Sequence, residues 1–189
     1  VEAWRFPSAG SPFAEELQGA MFFASPAVVG DAVYAASCLA DAFGNYGALF
    51  CLDAATGRPR WNAARFKDAD GEEKSFKGFF SSPAVTADGN YLVIGQGLHT
   101  DDHCDLVCFN ARTGRLHWRV PTPLHIEGSP AVDGDLAVAG AGAIEEGSDH
   151  RVKGHTGVVI GVKVSTGEKL WECPVADPES SPAIVGGVV

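Results

Sequence analysis

The chain has 189 residues, 46% hydrophobic and 20% charged, with a formal net charge of −10, a folded globular composition whose acidity disfavours nucleic acid or an anionic membrane surface as main partner. Its longest apolar run, LAVAGAGAI at 136–144, is far short of the roughly 20 residues of a membrane-spanning helix. The N-terminal VEAWRFPSAG has neither the basic nor the apolar region of a signal peptide.

In chain order, VEAWRF at 1–6 reads as a short strand around Trp4. A first unit, about 22–61, opens on SPAV (25–28), turns at VGDA, runs through VYAAS and the loop CLADAFGNYG (38–47), continues in ALFCL, turns at Thr56-Gly57 and ends on Trp61. After the insertion NAARFKDADGEEKSFKG (62–78), a second unit, about 79–118, repeats the pattern: SPAV (82–85), TADGN, YLVIG, the loop QGLHTDDHCD (96–105), LVCF, Thr113-Gly114 and Trp118. VPTPLHIEG (120–128) leads to a third unit, about 126–171, with SPAV (129–132), VDGD, LAVAG, the loop AGAIEEGSDHRVKGHTG (141–157), VVIGV, Thr166-Gly167 and Trp171. SPAI at 181–184 starts a fourth, 181–189 being a first strand and the start of a second.

Each unit thus holds four short strands. Mostly continuous apolar runs separated by Gly, Asp and Asn turns suit strands covered on both faces. Four-stranded units of about 50 residues with an aromatic signature are the mark of a β-propeller, whose blades bury their faces only by stacking on their neighbours. The fold class is therefore all-β, a propeller of antiparallel four-stranded blades, with three full blades and two partial ones as a segment of a ring of roughly seven or eight. An open arc leaves apolar faces and strand edges that further blades or a second copy have to cover.

Gly57, Gly114 and Gly167 supply the left-handed backbone of the turn before the last strand. Asp53 and Asn110 stand where their side chains can cap its amides. Trp61, Trp118 and Trp171 recur at one place per blade, where a flat side chain fills the wedge between sheets. A regular repeat spaces these tryptophans around a ring instead of pointing them at one ligand, which makes them structural.

The phrase L-x-x-L-D-A-x-T-G-x-x-x-W after S-P-A-V resembles the pyrroloquinoline-quinone-type (PQQ-type) repeat family, whose docking motif is Ala-x-Asp-x-x-Thr-Gly-x-x-x-Trp. The resemblance covers Ser25 to Ser181; Cys51, Cys108 and Gly161 take the Ala position, and Asp53, Asn110 and Lys163 the Asp position. It implies one of two functions. One is a non-catalytic binding or scaffold propeller, such as the lipoprotein of outer-membrane barrel assembly, without cofactor. The alternative is a segment of a quinoprotein dehydrogenase holding PQQ and calcium at the axis; such enzymes carry an adjacent cysteine pair, and this chain has no Cys-Cys. By the same resemblance the protein is exported, to the periplasm in a bacterium.

Propeller geometry places the long insertions on one face, which collects five of the six histidines and most acids. Loops on a rigid scaffold are where ligands bind, so this face is the expected site for a protein or small ligand. His99, His103 and Cys104 could bind a transition metal if their loop folds back, while a solvated acidic loop is the plainer alternative. Cys104 could also pair with Cys38. FKDADGEE (66–73) is no EF-hand, because a loop centred on Gly71 puts Phe66 and Lys77 where carboxylates are required. Two residues before each Ser-Pro stand Phe23, Phe80, Glu127 and Glu179, expected at the channel mouth as a rim for a peptide or cationic small molecule, or as simple packing of first strands. Cys51 and Cys108, within apolar strands, read as inert core residues.

Overall fold

Runs of four to ten β-favouring residues punctuated by left-handed glycines set this fold. The computed structural model describes residues 2–8, 10–41, 44–98, 101–142, 145–146, 151–152 and 157–189. The first blade is β1 (Ala27–Val29), β2 (Ala32–Asp41), β3 (Gly44–Asp53) and β4 (Pro59–Ala63), followed by a small hairpin, β5 (Arg65–Lys67) and β6 (Glu73–Ser75). The second is β7 (Ala84–Val85), β8 (Tyr91–Gly95), β9 (Asp102–Asn110) and β10 (Leu116–Leu124). In the third, β11 (Ala131–Asp133) and β12 (Leu136–Ala141) are joined to β15 (Gly157–Lys163) and β16 (Lys169–Val175) across a hairpin of β13 (Glu145–Glu146) and β14 (Arg151–Val152). One short helix, α1 (Phe13–Glu16), precedes them. Every sheet is an antiparallel meander, an open partial propeller.

Strands run further than their apolar cores. β2 and β3 stay paired from Ala32↔Asp53 to Asp41↔Gly44, so most of the expected 38–47 loop is ladder. Likewise β9 and β10 pair as far as Asp102↔Leu124. The physical reason is that a strand end carries polar side chains, Asp105 and Thr122 here, without losing its backbone pairing. The ends differ from expectation in the other direction. Residues 2–5 form no strand, and 181–189 contribute only the isolated bridge Val185↔Val188 around Gly186 and Gly187, both with positive φ.

Two cores fill the spaces between blades. Leu49, Phe76, Phe79, Ile94 and Phe109 centre the first; Leu106, Cys108, Trp118, Ile160 and Val162 centre the second. The outward face of the first blade is covered by the chain's own N-terminal segment, where Phe6, Phe13 and Leu17 pack on Val33, Phe50 and Leu52. Phe50, fully buried, has the Phe6 ring at 5.0 Å and the Phe13 ring at 5.7 Å, a burial worth about 2–3 kcal/mol. At the opposite end of the arc Leu170 is 48% and Trp171 38% exposed.

Adjacent blades are latched at their outer edges. Trp4 Nε1 donates to the Ala54 carbonyl at 2.9 Å, Trp61 Nε1 to Ala111 at 3.1 Å and Trp118 Nε1 to Val164 at 2.6 Å. Each indole lies on the Thr-Gly turn of the following blade. A Cβ on Gly57 would stand 2.5 Å from Trp4, on Gly114 2.6 Å from Trp61 and on Gly167 2.7 Å from Trp118, so these positions need glycine both for positive φ and for the closeness of the ring.

The turns themselves are capped from within. Asp53 Oδ1 accepts from the amides of Ala55 and Thr56 and the Thr56 hydroxyl, and Asn110 Oδ1 does the same for Arg112 and Thr113. Arg60 clamps Asp53 at 2.7 Å and Asp31 at 2.8 Å. Its hydrogen bond is the foremost cause holding the Asp53 carboxyl down at about 2.

Gly114→Ala and Gly71→Ala separate the two demands on the turn glycine. Gly71 also has positive φ but nothing within 4 Å of an added Cβ, so its substitution should cost about 1 kcal/mol of backbone strain, against about 3 kcal/mol or more for Gly114→Ala, measured by chemical denaturation.

Candidate functional site

The inner edge of the arc is built on the Ser-Pro repeats. Proline lacks an amide, which keeps the first strands short and starts their pairing only at the following alanine. The serine before it joins the blades: the Ser25 amide donates to Ser82 Oγ, the Ser82 amide to Ser129 Oγ and the Ser129 amide to Ser181 Oγ, each at 2.9 Å. This ladder escaped sequence reasoning, which used the Ser-Pro phrase only as a period; its strict recurrence was the available signal.

Two residues before these serines lie Phe23, Phe80, Glu127 and Glu179, the positions expected at the channel mouth. Phe23, 60% exposed, stacks on Phe80 with centroids 5.2 Å apart and planes 22° off parallel. Glu127 is half-buried and Glu179 exposed. A Cβ on Gly128 would stand 2.8 Å from the carbonyl oxygens of Glu179 and Ser180, so the third first strand runs against the backbone that carries Glu179. The fully buried His125 places Nε2 3.6 Å from Glu179 Oε1. The structure therefore brings Phe23 and Phe80 into contact and sets the two glutamates on neighbouring stretches of chain, an aromatic half and an acidic half. Aromatic faces and carboxylates together attract a cation.

The loop end of the first two blades is a network instead of a set of free loops. Asn45 Nδ2 donates to Asp101 Oδ2 at 2.6 Å, which also accepts the Leu98 amide at 2.8 Å, while the Cys38 thiol donates to Asn45 Oδ1 at 3.1 Å. Burial foremost, then the Asp101 charge, pushes the Cys38 thiol up to about 11. The β5–β6 hairpin reaches across to the second blade, where Phe66 lies 3.8 Å under the Arg119 guanidinium that pairs with the buried Asp105 at 2.5 Å.

His99 lies outside the described residues. His103 is exposed with φ +48°, whereas the next residue, Cys104, is buried. Among the described residues no three His, Cys, Asp or Glu side chains are placed to hold a metal ion. The five cysteines form no disulfide with one another, a correction to the Cys38–Cys104 pairing. Physically, Cys38 Sγ stands against Gly78 and Cys104 Sγ against Gly97, and the Gly97 amide donates to the Gly78 carbonyl between them. Cys51 and Cys108 are buried, and burial pushes the Cys108 thiol up to about 12.

Of the tryptophans named above, Trp61 and Trp118 form inter-blade latches. Trp171 covers its cross-strand partner Gly161 and faces the open end.

Blades joined by an outer indole latch and an inner serine ladder define a β-propeller of PQQ-type repeats. The chain belongs to the family whose model, described as outer membrane protein assembly factor BamB, matches residues 2–189. No curated protein matches the sequence. Among solved structures it is similar to a europium-containing methanol dehydrogenase (TM-score 0.57, 14% identity, 83% of this chain and 32% of that one) and to the computationally designed Ika8 protein (0.50, 16%, 82% and 37%). It is also similar to BamB from Moraxella catarrhalis (0.40, 20%, 78% and 50%). The chain spans from a third to half of the length of these structures, and the likeness at such identities is one of fold.

Cys173 is the one exposed cysteine. At pH 8 a thiol-disulfide reagent should label a single site rapidly in the native chain, lose it in Cys173→Ser, and reach the other four only on unfolding, because the thiolate is the reacting form.

Proposed function

We propose that this chain is part of a non-catalytic binding propeller, a scaffold that takes a protein segment or small ligand at its loop-rich end and inner rim. The observation that carries this is Phe23, 60% exposed and stacked on the half-buried Phe80, at the same place in the repeat as Glu127 and Glu179. Solvent-facing aromatic pairs are costly to leave uncovered and mark contact sites. The family match supports the same role, its description being that of an assembly factor. By the same kinship the protein acts outside the cytoplasm, in the periplasm of a bacterium. Among the described residues no helix is long and apolar enough to cross a membrane.

The quinoprotein alternative has the methanol dehydrogenase fold in its favour. The residues present do not fit the cofactor: the sequence has no adjacent cysteines, and the described carboxylates form no cluster suited to calcium. No reaction step is therefore derived from PQQ.

A fluorescent Lys-rich peptide titrated into the full-length protein tests the rim. It should bind, and Phe23→Ala with Glu179→Gln should weaken binding about tenfold, in line with ~0.5–1 kcal/mol for each exposed cation–π or ionic contact. Calcium-dependent binding of PQQ with alcohol-driven dye reduction, and no response of the peptide to the two substitutions, would overturn the proposal.

A further inference from the structure

A basic spot on this acidic chain lies at the outer edge of the first blade, away from Phe23 and Glu179. A groove of about 690 Å³ runs along β4 between the Thr-Gly turn and the N-terminal segment. Three arginines line it, Arg5, Arg58 and Arg60, together with Trp4, Phe6 and Phe13, and no Asp or Glu does. Arg60 is spent on Asp31 and Asp53, and Arg5 reaches Glu2 at 2.9 Å. Arg58, exposed, has no carboxylate partner among the described residues. Beside it, β4 is the outermost strand of its sheet, and, among the described residues, 60–62 make no backbone hydrogen bond beyond those with β3.

An edge strand with unspent amides and carbonyls is a template for a further strand. On such a strand, alternate side chains fall on one face. We propose that this groove docks an extended acidic peptide segment of a partner protein, added antiparallel or parallel to β4, with one carboxylate on Arg58 and an apolar side chain two residues away on the Trp4, Phe6 and Phe13 floor. Charge complementarity selects the occupant. The chain's net charge of −10 disfavours an acidic peptide over the surface as a whole, so one is held where a guanidinium without a carboxylate partner lies beside an apolar floor and an open strand edge. The site is independent of the rim proposed above, which is opposite in sign and built on different strands.

The test uses the full-length protein and a fluorescein-labelled peptide of alternating Glu and Val with one central Phe, followed by anisotropy at low salt. Saturable binding is expected, weakened at least about tenfold by Arg58→Glu and by alternate N-methylation of the peptide backbone, and unaffected by Glu179→Gln. A Lys-for-Glu peptide should not compete. Since Arg58 is exposed, Arg58→Glu should keep the native unfolding midpoint. Equal binding by wild type and Arg58→Glu would overturn the proposal, as would no binding at all. Indifference to N-methylation would overturn strand addition, and competition by free glutamate at similar concentration would replace the peptide with a small anion.

Discussion

An indole lying on the turn of the next sheet is the contact on which this structure depends. A four-stranded blade cannot bury both of its faces alone, and its stability comes largely from its neighbours. Trp4, Trp61 and Trp118 tie each outer edge to the following blade through a hydrogen bond to a turn carbonyl. At the inner edge the serine ladder does the same with backbone amides. Two attachment lines at opposite edges of a sheet fix both the spacing and the tilt of the blades, and the apolar cores fill what lies between. The Phe23–Phe80 stack depends on this arrangement, because the two rings meet where the Ser25–Ser82 bond holds successive first strands side by side.

The third unit shows how the constraint is met when the motif changes. Lys163 replaces the capping Asp53 or Asn110; its carbonyl still accepts the Gly167 amide at 2.8 Å, but it has no side-chain oxygen to offer the turn. Asp135, from the neighbouring hairpin, takes over: it accepts the Ser165 amide at 2.7 Å and the Ser165 hydroxyl at 2.8 Å. Those bonds hold the Asp135 carboxyl below its ordinary range. The turn keeps its shape and Gly167 still receives Trp118.

Repetition made the blades legible in the sequence. The Thr-Gly-x-x-x-Trp spacing requires a left-handed turn and a large side chain at fixed places, and both are local chemistry. What could not be read was set by partners distant in sequence. Strand ends such as Asp41 and Leu124 are defined by pairing across a hairpin, which hydropathy does not encode. The cover over Phe50 comes from residues 6–17, a stretch without periodicity. Cys38 and Cys104 were suggestive by position, yet a Gly78–Gly97 backbone contact lies between them. The equivalence of Phe23, Phe80, Glu127 and Glu179 follows from the repeat period, whereas their contacts, phenyl on phenyl and His125 behind Glu179, depend on side-chain directions that only the assembled blades define.

Hydrogen exchange of the four indole protons tests the latch most directly. Each resolved Nε1–H signal reports whether its bond is closed and how often the blades part. The account predicts slow exchange for Trp4, Trp61 and Trp118, with Trp61 and Trp118 losing protection together with the blade cores, and fast exchange for Trp171 wherever no further blade covers it. Equal, rapid exchange at all four would contradict it, and so would protection of Trp171 matching that of the others in a chain shown to be monomeric and to end at Val189.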